Sequence, residues 1–260
     1  MVNLKELINN LYNYRQLLKS NVQKDIRGKY KGSFLGILWS FVNPLLMTLV
    51  YAIVFPFLLK STQPHYVTFI VIGILPWTWF TYTISGTNTF VVNGGIIKKV
   101  YFPREILPIS IVTSGMINFL ISCIIIAIFL ICSGIGFSWY ILFLPLIVIT
   151  QYILSLAILL ITSAIDVYIR DAEYIINFLV SMLFYGTPIL YSSDLFPKTF
   201  SWILRINPLT TIIDCYRDIF FYQSMPHIKS LIVVFSVSCL LLVLGFKIFK
   251  KMEKGFAEEL

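Results

Sequence analysis

Long apolar runs separated by short polar islands make up most of this chain, and its opening stretch follows a different pattern. There Leu4, Leu7, Ile8, Leu11, Leu18, Val22 and Ile26 recur at three- and four-residue steps, while Lys5, Arg15, Lys19, Lys24 and Arg27 lie mostly off that stripe. The spacing predicts an amphipathic helix with a basic polar face, suited to a membrane interface or to packing on a soluble partner. Gly28 and Gly32, beside Lys29 and Lys31, break the pattern. Six apolar runs follow, near 36–59, 67–92, 108–133, 140–165, 174–190 and 230–246. At about 1.5 Å per residue they are long enough to cross a hydrocarbon core of roughly 30 Å. The fifth is the shortest, with Gly186 and Pro188 near its end. Proline has no amide donor, so this span is expected to end or bend there.

Beyond it, residues 196–204 are too few to cross, and Asn207-Pro208 reads as a helix start, with Asn as the cap and Pro at the first helical position. Leu209, Ile212, Ile213, Tyr216 and Phe220 give that helix one apolar face. Residues 191–225 are thus expected to form a broken helical hairpin dipping into one membrane surface, a plain long loop being the alternative. The expected fold is all-α integral membrane. Residues 1–33 form a cytoplasmic amphipathic interface helix, and residues 34–260 a domain of six transmembrane helices with a re-entrant hairpin.

Composition enforces the membrane class. Of 260 residues 58% are hydrophobic and 12% charged, against about 45–50% and 25% for a soluble domain. The net charge of +8 is scattered between apolar runs, which suits anionic lipid headgroups and not a nucleic acid. Cys123, Cys132, Cys215 and Cys239 form no CxxC pair and read as small packing residues. The polar N-terminus shows no cleavable signal peptide. Fifteen Lys and Arg fall on the side holding both termini, the island at 93–108 and the loop at Arg170, against five on the other. That bias places both termini in the cytoplasm. Tyr66, Trp77, Trp79, Trp139, Tyr140, Tyr191 and Trp202 lie near the expected outer ends, as an aromatic belt would.

Catalytic chemistry is argued away by absence. Gly28-Lys29 is the only Gly-Lys pair and no phosphate-binding loop surrounds it. There is no HExxH and no metal-ligand spacing, and His65 and His227 sit in separate external segments. Asp166, Asp171 and Glu173 cluster with Arg170, where a catalytic acid pair competes with a solvated loop bridging to a partner. No Asp, Glu, Lys, Arg or His lies inside the six runs, which weakens ion-coupled carriage, although sodium sites built from carbonyls and hydroxyls stay open. No filter loop suggests a channel. A conduit driven by an external motor remains, and no enzyme.

The island carries the motor side of that reading. Gly94 and Gly95 open it, Ile96, Ile97, Val100 and Tyr101 interleave with Lys98 and Lys99, and Pro103 and Pro108 bracket Arg104-Glu105. Pro103 disfavours helix at Phe102, so a short helix should end there as a peg, with an apolar side and Lys98, Lys99, Arg104 and Glu105 at its rim.

The stretch Gly95-Ile96-Ile97-Lys98-Lys99-Val100-Tyr101-Phe102-Pro103-Arg104-Glu105-Ile106-Leu107-Pro108 resembles the signature cytoplasmic loop of polysaccharide and polyol-phosphate export permeases. These are the type-2 membrane subunits of the ABC exporters for O-antigen, teichoic acid and capsule. Arg27-Gly28-Lys29-Tyr30-Lys31-Gly32-Ser33, Leu35-Gly36-Ile37-Leu38-Trp39 and Asn43-Pro44-Leu45 are similar to the family's first-span region. Asp166-Val167-Tyr168-Ile169-Arg170-Asp171 is similar to its second cytoplasmic loop, and Thr187-Pro188-Ile189-Leu190-Tyr191 with Asn207-Pro208-Leu209 through Tyr216-Arg217 to its outer hairpin. Phe249 through Glu258 resembles its tail.

The resemblance implies a homodimer in the bacterial plasma (inner) membrane, above two copies of a separate ATPase that alone binds ATP and magnesium; this chain would hold no cofactor. It implies that residues 94–106 form the coupling helix, with Ile97, Lys98, Lys99, Tyr101, Phe102, Arg104 and Glu105, and with Arg170 and Asp171 beside them, meeting the ATPase. A lipid-linked polysaccharide would pass through a channel whose aromatics face the sugar, the candidates being Trp39, Tyr51, Trp77, Trp79, Tyr82 and Tyr185. Pro188, with Tyr191, Asn207, Pro208, Tyr216 and Arg217 of the hairpin at about 191–225, would shape the outer gate. Sugars offer hydroxyls and apolar C–H faces, which suits rings with Ser, Thr and Asn better than fixed charges. A permease for another amphipathic cargo, such as a lipid or drug, and a cation-coupled carrier are the alternatives.

Overall fold

The computed structural model describes residues 4–28, 34, 36, 39–59, 64–193, 199 and 201–260, and among these every regular element is helical. In chain order they are α1 (Leu4–Asn13), α2 (Arg15–Gly28), α3 (Trp39–Leu59), α4 (Tyr66–Ile84), α5 (Thr89–Val92), α6 (Gly94–Ile97), α7 (Ile106–Cys132), α8 (Leu144–Tyr168), α9 (Ala172–Tyr185), α10 (Ser201–Ile206), α11 (Pro208–Phe220), α12 (Ile228–Met252) and α13 (Phe256–Glu259). Residues 29–33, 35 and 37–38 of the N-terminal motif, and 194–198 and 200 of the hairpin, lie outside the described residues.

Among the described residues four stretches are long and apolar enough to cross a membrane, numbered here by the apolar run each contains: the second, Tyr66–Val92, the third, Ile106–Cys132, the fourth, Trp139–Tyr168, and the sixth, Ile228–Gly255. Shorter apolar helices are Val42–Tyr51, inside α3, and Ala172–Tyr185, which is α9. The chain is therefore an all-helical, multi-span membrane protein. The last helix runs past the expected 246 because Lys247, Lys250 and Lys251 continue it; cations in a closing turn oppose no helix and favour its dipole.

The stretch containing α4 is the hub. Burial covers 78% of its most apolar window, against 28% for the stretch containing α12, whose residues face outward instead. Lipid gives apolar helices little reason to prefer each other, so close packing and interhelical hydrogen bonds hold them. Pro76 sits inside α4, and its carbonyl accepts from Gln151 Nε2 of α8 at 2.8 Å. Thr113 of α7 and Tyr152 of α8 share a hydrogen bond at 2.9 Å, and Thr87 donates to Thr162 at 3.1 Å. Gly245 lets α12 close on α8: a Cβ there would stand 3.0 Å from the Ala157 carbonyl oxygen.

Leu11, Leu17, Leu18 and Val22 turn toward the bundle, and α2 packs along α7. Ser114 Oγ donates to Asp25 Oδ2 at 3.3 Å. Burial pushes the Asp25 carboxyl above the usual range, while Ser114 and Lys24 pull it back.

The fifth apolar run is interrupted. With 14 residues, α9 reaches only roughly 21 Å, and the chain then turns through 186–190 with Thr187, Pro188, Ile189 and Leu190 buried. Backbone outside a helix cannot face hydrocarbon unless its polar groups are met. Asn207 Nδ2 meets the Gly186 carbonyl at 3.4 Å and Thr187 Oγ1 at 2.8 Å. Arg217 donates through Nη1 to the Pro188 carbonyl and through Nη2 to that of Ile189 at 2.7 Å. Tyr66 donates its hydroxyl to the Leu190 carbonyl. The other end of Asn207 caps α11, its Oδ1 accepting from the Leu209 amide at 3.0 Å ahead of Pro208. Arg217 is 2% exposed, 3.7 Å from Asp214 and stacked 3.7 Å over the Phe69 ring. Gly73 makes the room, since a Cβ there would stand 2.9 Å from Arg217 Nη2.

This arrangement assigns the stability of the turn to one guanidinium. Arg217→Lys replaces a planar two-armed donor by a point ammonium, and leaving a buried acceptor unmet costs about 1–3 kcal/mol. Arg217→Lys should therefore lower the midpoint of thermal unfolding in nanodiscs, and Arg217→Met, which leaves both carbonyls unmet, should lower it further. An unchanged midpoint for both variants would show that water or other groups serve these carbonyls.

Candidate functional site

The island between the second and third long stretches folds as one helical turn. Asn93 starts it, accepting from the Ile97 amide at 3.1 Å while its own Nδ2 donates to the Thr89 carbonyl at 2.7 Å. The turn closes with Lys98 N to the Gly94 carbonyl at 3.0 Å and Val100 N to the Ile96 carbonyl at 2.9 Å. Ile97 and Phe102 are buried and anchor this turn, whereas Ile96, Val100 and Tyr101 stand out, Tyr101 at 93% exposure, with Lys98 and Lys99 exposed beside them. Residues Ile97 to Phe102 and Arg104 line an open hollow of about 270 Å³.

The four charges expected at the rim divide. Lys98 and Lys99 stay at the surface, but Arg104 and Glu105 turn inward. Glu105 is 1% exposed and accepts from Lys250 Nζ of α12 at 3.0 Å; Lys250 also reaches Glu253 at 3.1 Å. Arg104 donates to the Glu253 carbonyl and lies 5.6 Å over the Phe256 ring. No sequence periodicity points from residue 104 to residue 253; the only earlier signal is that both segments belong to one set of family motifs.

Arg170 and Asp171 are exposed between α8 and α9. The neighbouring acids are structural: buried Asp166 accepts from the Glu173 amide at 3.2 Å, and Glu173 accepts from Asn88 Nδ2 at 2.9 Å. They fasten the start of α9 to α8 and to the end of the second stretch. His65 is exposed, and His227 Nδ1 lies 2.9 Å from Asp218. Among the described residues no group of three or more His, Cys, Asp or Glu could hold a metal.

A cleft of about 430 Å³ opens between α3, the second long stretch and α7. Trp39, Asn43, Pro44 and Met47 line it from α3; Leu75, Thr78, Trp79, Thr81, Tyr82 and Ser85 from the second stretch; and Gly115, Asn118, Phe119 and Ser122 from α7. Its hydroxyls mostly donate to their own helices: Thr78 to the Leu75 carbonyl, Ser85 to that of Tyr82, Ser122 to that of Asn118. They therefore offer a guest lone pairs, the asparagine amides offer both donor and acceptor, and among the described residues no charged side chain lines the cleft. Such a lining fits a neutral guest bearing hydroxyls and apolar faces.

The six aromatic candidates form two groups. Trp39, Trp79 and Tyr82 border the cleft. Trp79 is wall more than lining: it is buried, its Nε1 donates to the Val112 carbonyl at 3.3 Å, and its ring stacks on Phe119 at 5.4 Å. Gly115 admits that indole, because a Cβ would stand 2.5 Å from Trp79 Cδ1. Tyr51, Trp77 and Tyr185 gather instead around Phe184, at ring distances of 6.0, 5.5 and 5.4 Å. Tyr66, Trp77 and Trp79 turn into the protein, while Trp139 and Trp202 are exposed as a belt requires.

In the hairpin, buried Pro188 lies at the turn, Tyr191 donates to the Tyr185 carbonyl at 2.8 Å, and Asn207, Pro208 and Arg217 hold the geometry already described. Tyr216 is fully buried with its ring edge-on to Phe119 at 5.3 Å. Phe119 thus touches Trp79 at the cleft on one side and Tyr216 of the hairpin helix on the other.

The family model for ABC-2 type transporters matches residues 16–221. This chain belongs to the ABC-2 type transporter family. It is an ABC-2 type membrane permease. It is 36% identical to an O-antigen export system permease protein RfbA of Klebsiella pneumoniae over 247 residues, covering 93% of this chain and 94% of that protein. It is 33% identical to the protein of the same name from Myxococcus xanthus over 257 residues, covering 98% and 99%. The ABC-2 match takes in α2, the island, the cleft and the whole α9–α11 hairpin.

Proposed function

We propose that this chain is the permease subunit of an ATP-driven exporter that moves a lipid-linked cell-surface polysaccharide of the O-antigen class across the bacterial inner membrane. The observation that carries this reading is the near full-length similarity to permeases named for O-antigen export. The cleft adds chemical support, since the rings, amides and hydroxyl lone pairs of its described lining suit a sugar.

In this reading residues 34–260 are a six-span domain, with α3 and α9 as the first and fifth spans, and residues 1–33 carry the interface helix at the cytoplasmic face. Both termini are cytoplasmic, in line with the Lys and Arg bias; burial of Arg217 removes one more solvated cation from the opposite side. Residues 94–106 dock a separate ATPase, which binds ATP and magnesium, with Tyr101 as the projecting contact. The hairpin at 191–225 narrows the outer mouth. Two copies of the chain, with two copies of the ATPase, make the transporter; the exposed face of α9, with Tyr174, Phe178 and Tyr185, supports a pairing seam.

Tyr101→Ala removes an almost fully exposed aromatic, and a hot-spot aromatic at an interface is worth about 2 kcal/mol or more. Insertion and dimerisation should be unchanged while copurifying ATPase and surface glycan both fall by an order of magnitude or so; the Tyr101→Ala/Phe102→Ala pair should do the same. Normal export by these variants would reduce the island to a turn. The orientation has its own test, in a background without the native cysteines. Trp139→Cys, or a cysteine at Gln63 (outside the described residues), should react with an impermeant thiol reagent added from outside, and Lys98→Cys should not. The reverse labelling would overturn the orientation and the docking with it.

A further inference from the structure

We propose that residues 253–260 act as a strut that holds the island in register with α12 and α8 during the ATP-driven cycle, with Phe256 as its positioning residue. This rests on the reading that the island docks an ATPase.

The island has little hold of its own. Helix α6 is a single turn, too short to persist without tertiary contacts, and the island's projecting side chain, Tyr101, four residues beyond α6, touches solvent almost all round. The tail supplies what is missing. Phe256 is wholly buried, 5.0 Å from Phe90 just before the island, 5.8 Å from Phe249 of α12 and 6.2 Å from Tyr168 at the end of α8. Arg104, on the far side of the island, caps the same ring and donates to the Glu253 carbonyl. Tyr168 donates to the Met252 carbonyl at 2.7 Å, and it lies so close that a Cβ at Gly255 would be 2.4 Å from its hydroxyl. The Leu260 side chain lies over Gly94, the first residue of α6. One short segment therefore touches both flanks of the island and two long helices. Those two helices are themselves closely packed at Gly245. A load applied at Tyr101 thus passes into the α8–α12 pair as well as along α5 and α7.

A crosslink tests this directly. A Cβ at Gly94 would lie 3.5 Å from that of Leu260, within the roughly 3.5–4.5 Å a disulfide spans. In the full chain with its ATPase, and without the four native cysteines, Gly94→Cys/Leu260→Cys should oxidise readily and keep export within about twofold of the reduced form. Phe256→Ala should insert and copurify ATPase as the parent does, and continue to hydrolyse ATP, while surface glycan drops at least tenfold. Oxidising the same cysteine pair in the Phe256→Ala chain should restore most of that export, and reduction should remove it again. Normal export by Phe256→Ala, arrest of export by the crosslink in the parent, or failure of the crosslink to rescue would each overturn the strut. If Phe256→Ala does not accumulate, the crosslinked parent decides alone: export retained supports the strut, and arrest or no bond overturns it. Failure of the docking reading is distinguishable, because Tyr101→Ala would then export normally whatever the crosslink does.

Discussion

A peptide group that leaves a helix inside a protein core must find a partner, and the buried turn after α9 is where this chain meets that requirement. Residues 187–190 are buried, so the protein supplies donors from elsewhere: Asn207, Tyr66 and above all the two arms of Arg217. Much else follows from seating one guanidinium there. Residue 73 must be glycine-sized to admit it, Phe69 lies under it, and α11 must approach α4 closely enough to deliver it. The hairpin is consequently tied to the hub of the bundle by polar contacts that lipid cannot replace.

The island at the other end obeys the same logic with different chemistry. Its anchors are Ile97 and Phe102 below, and an inward-facing pair, Arg104 and Glu105, held by α12 and the tail. What it shows to the outside is the remainder: an exposed Tyr101 between apolar side chains and two lysines. A projecting aromatic on a base fixed from several sides keeps its place and direction, since the base has little freedom to move.

The long spans were legible because a run of apolar residues is itself the physical cause of membrane insertion, and the Asn207-Pro208 start of α11 because capping is local chemistry. Side-chain direction was not legible. Arg217 reads as one more external cation when charges are counted, yet it is buried, and nothing near it in sequence reveals carbonyls nearly thirty residues upstream. Arg104 and Glu105 look like rim residues for the same reason: their partners lie in the tail. Tyr66, Trp77 and Trp79 resemble belt residues by position but point inward. Spans that are apolar all round carry no periodic signal to say which face meets lipid and which meets protein.

The stack running from Trp79 through Phe119 to Tyr216 has a consequence for how this protein can change over generations. Phe119 fits two neighbours on different helices at once, and Gly115, one turn earlier on α7, leaves the indole no spare room. A lineage that altered the size of any one ring would leave a void or a collision at another, so drift at a single site is penalised. Variation here should be correlated, with these positions exchanging bulk as a set, even as the lipid-facing surfaces of α7 and α12 vary freely.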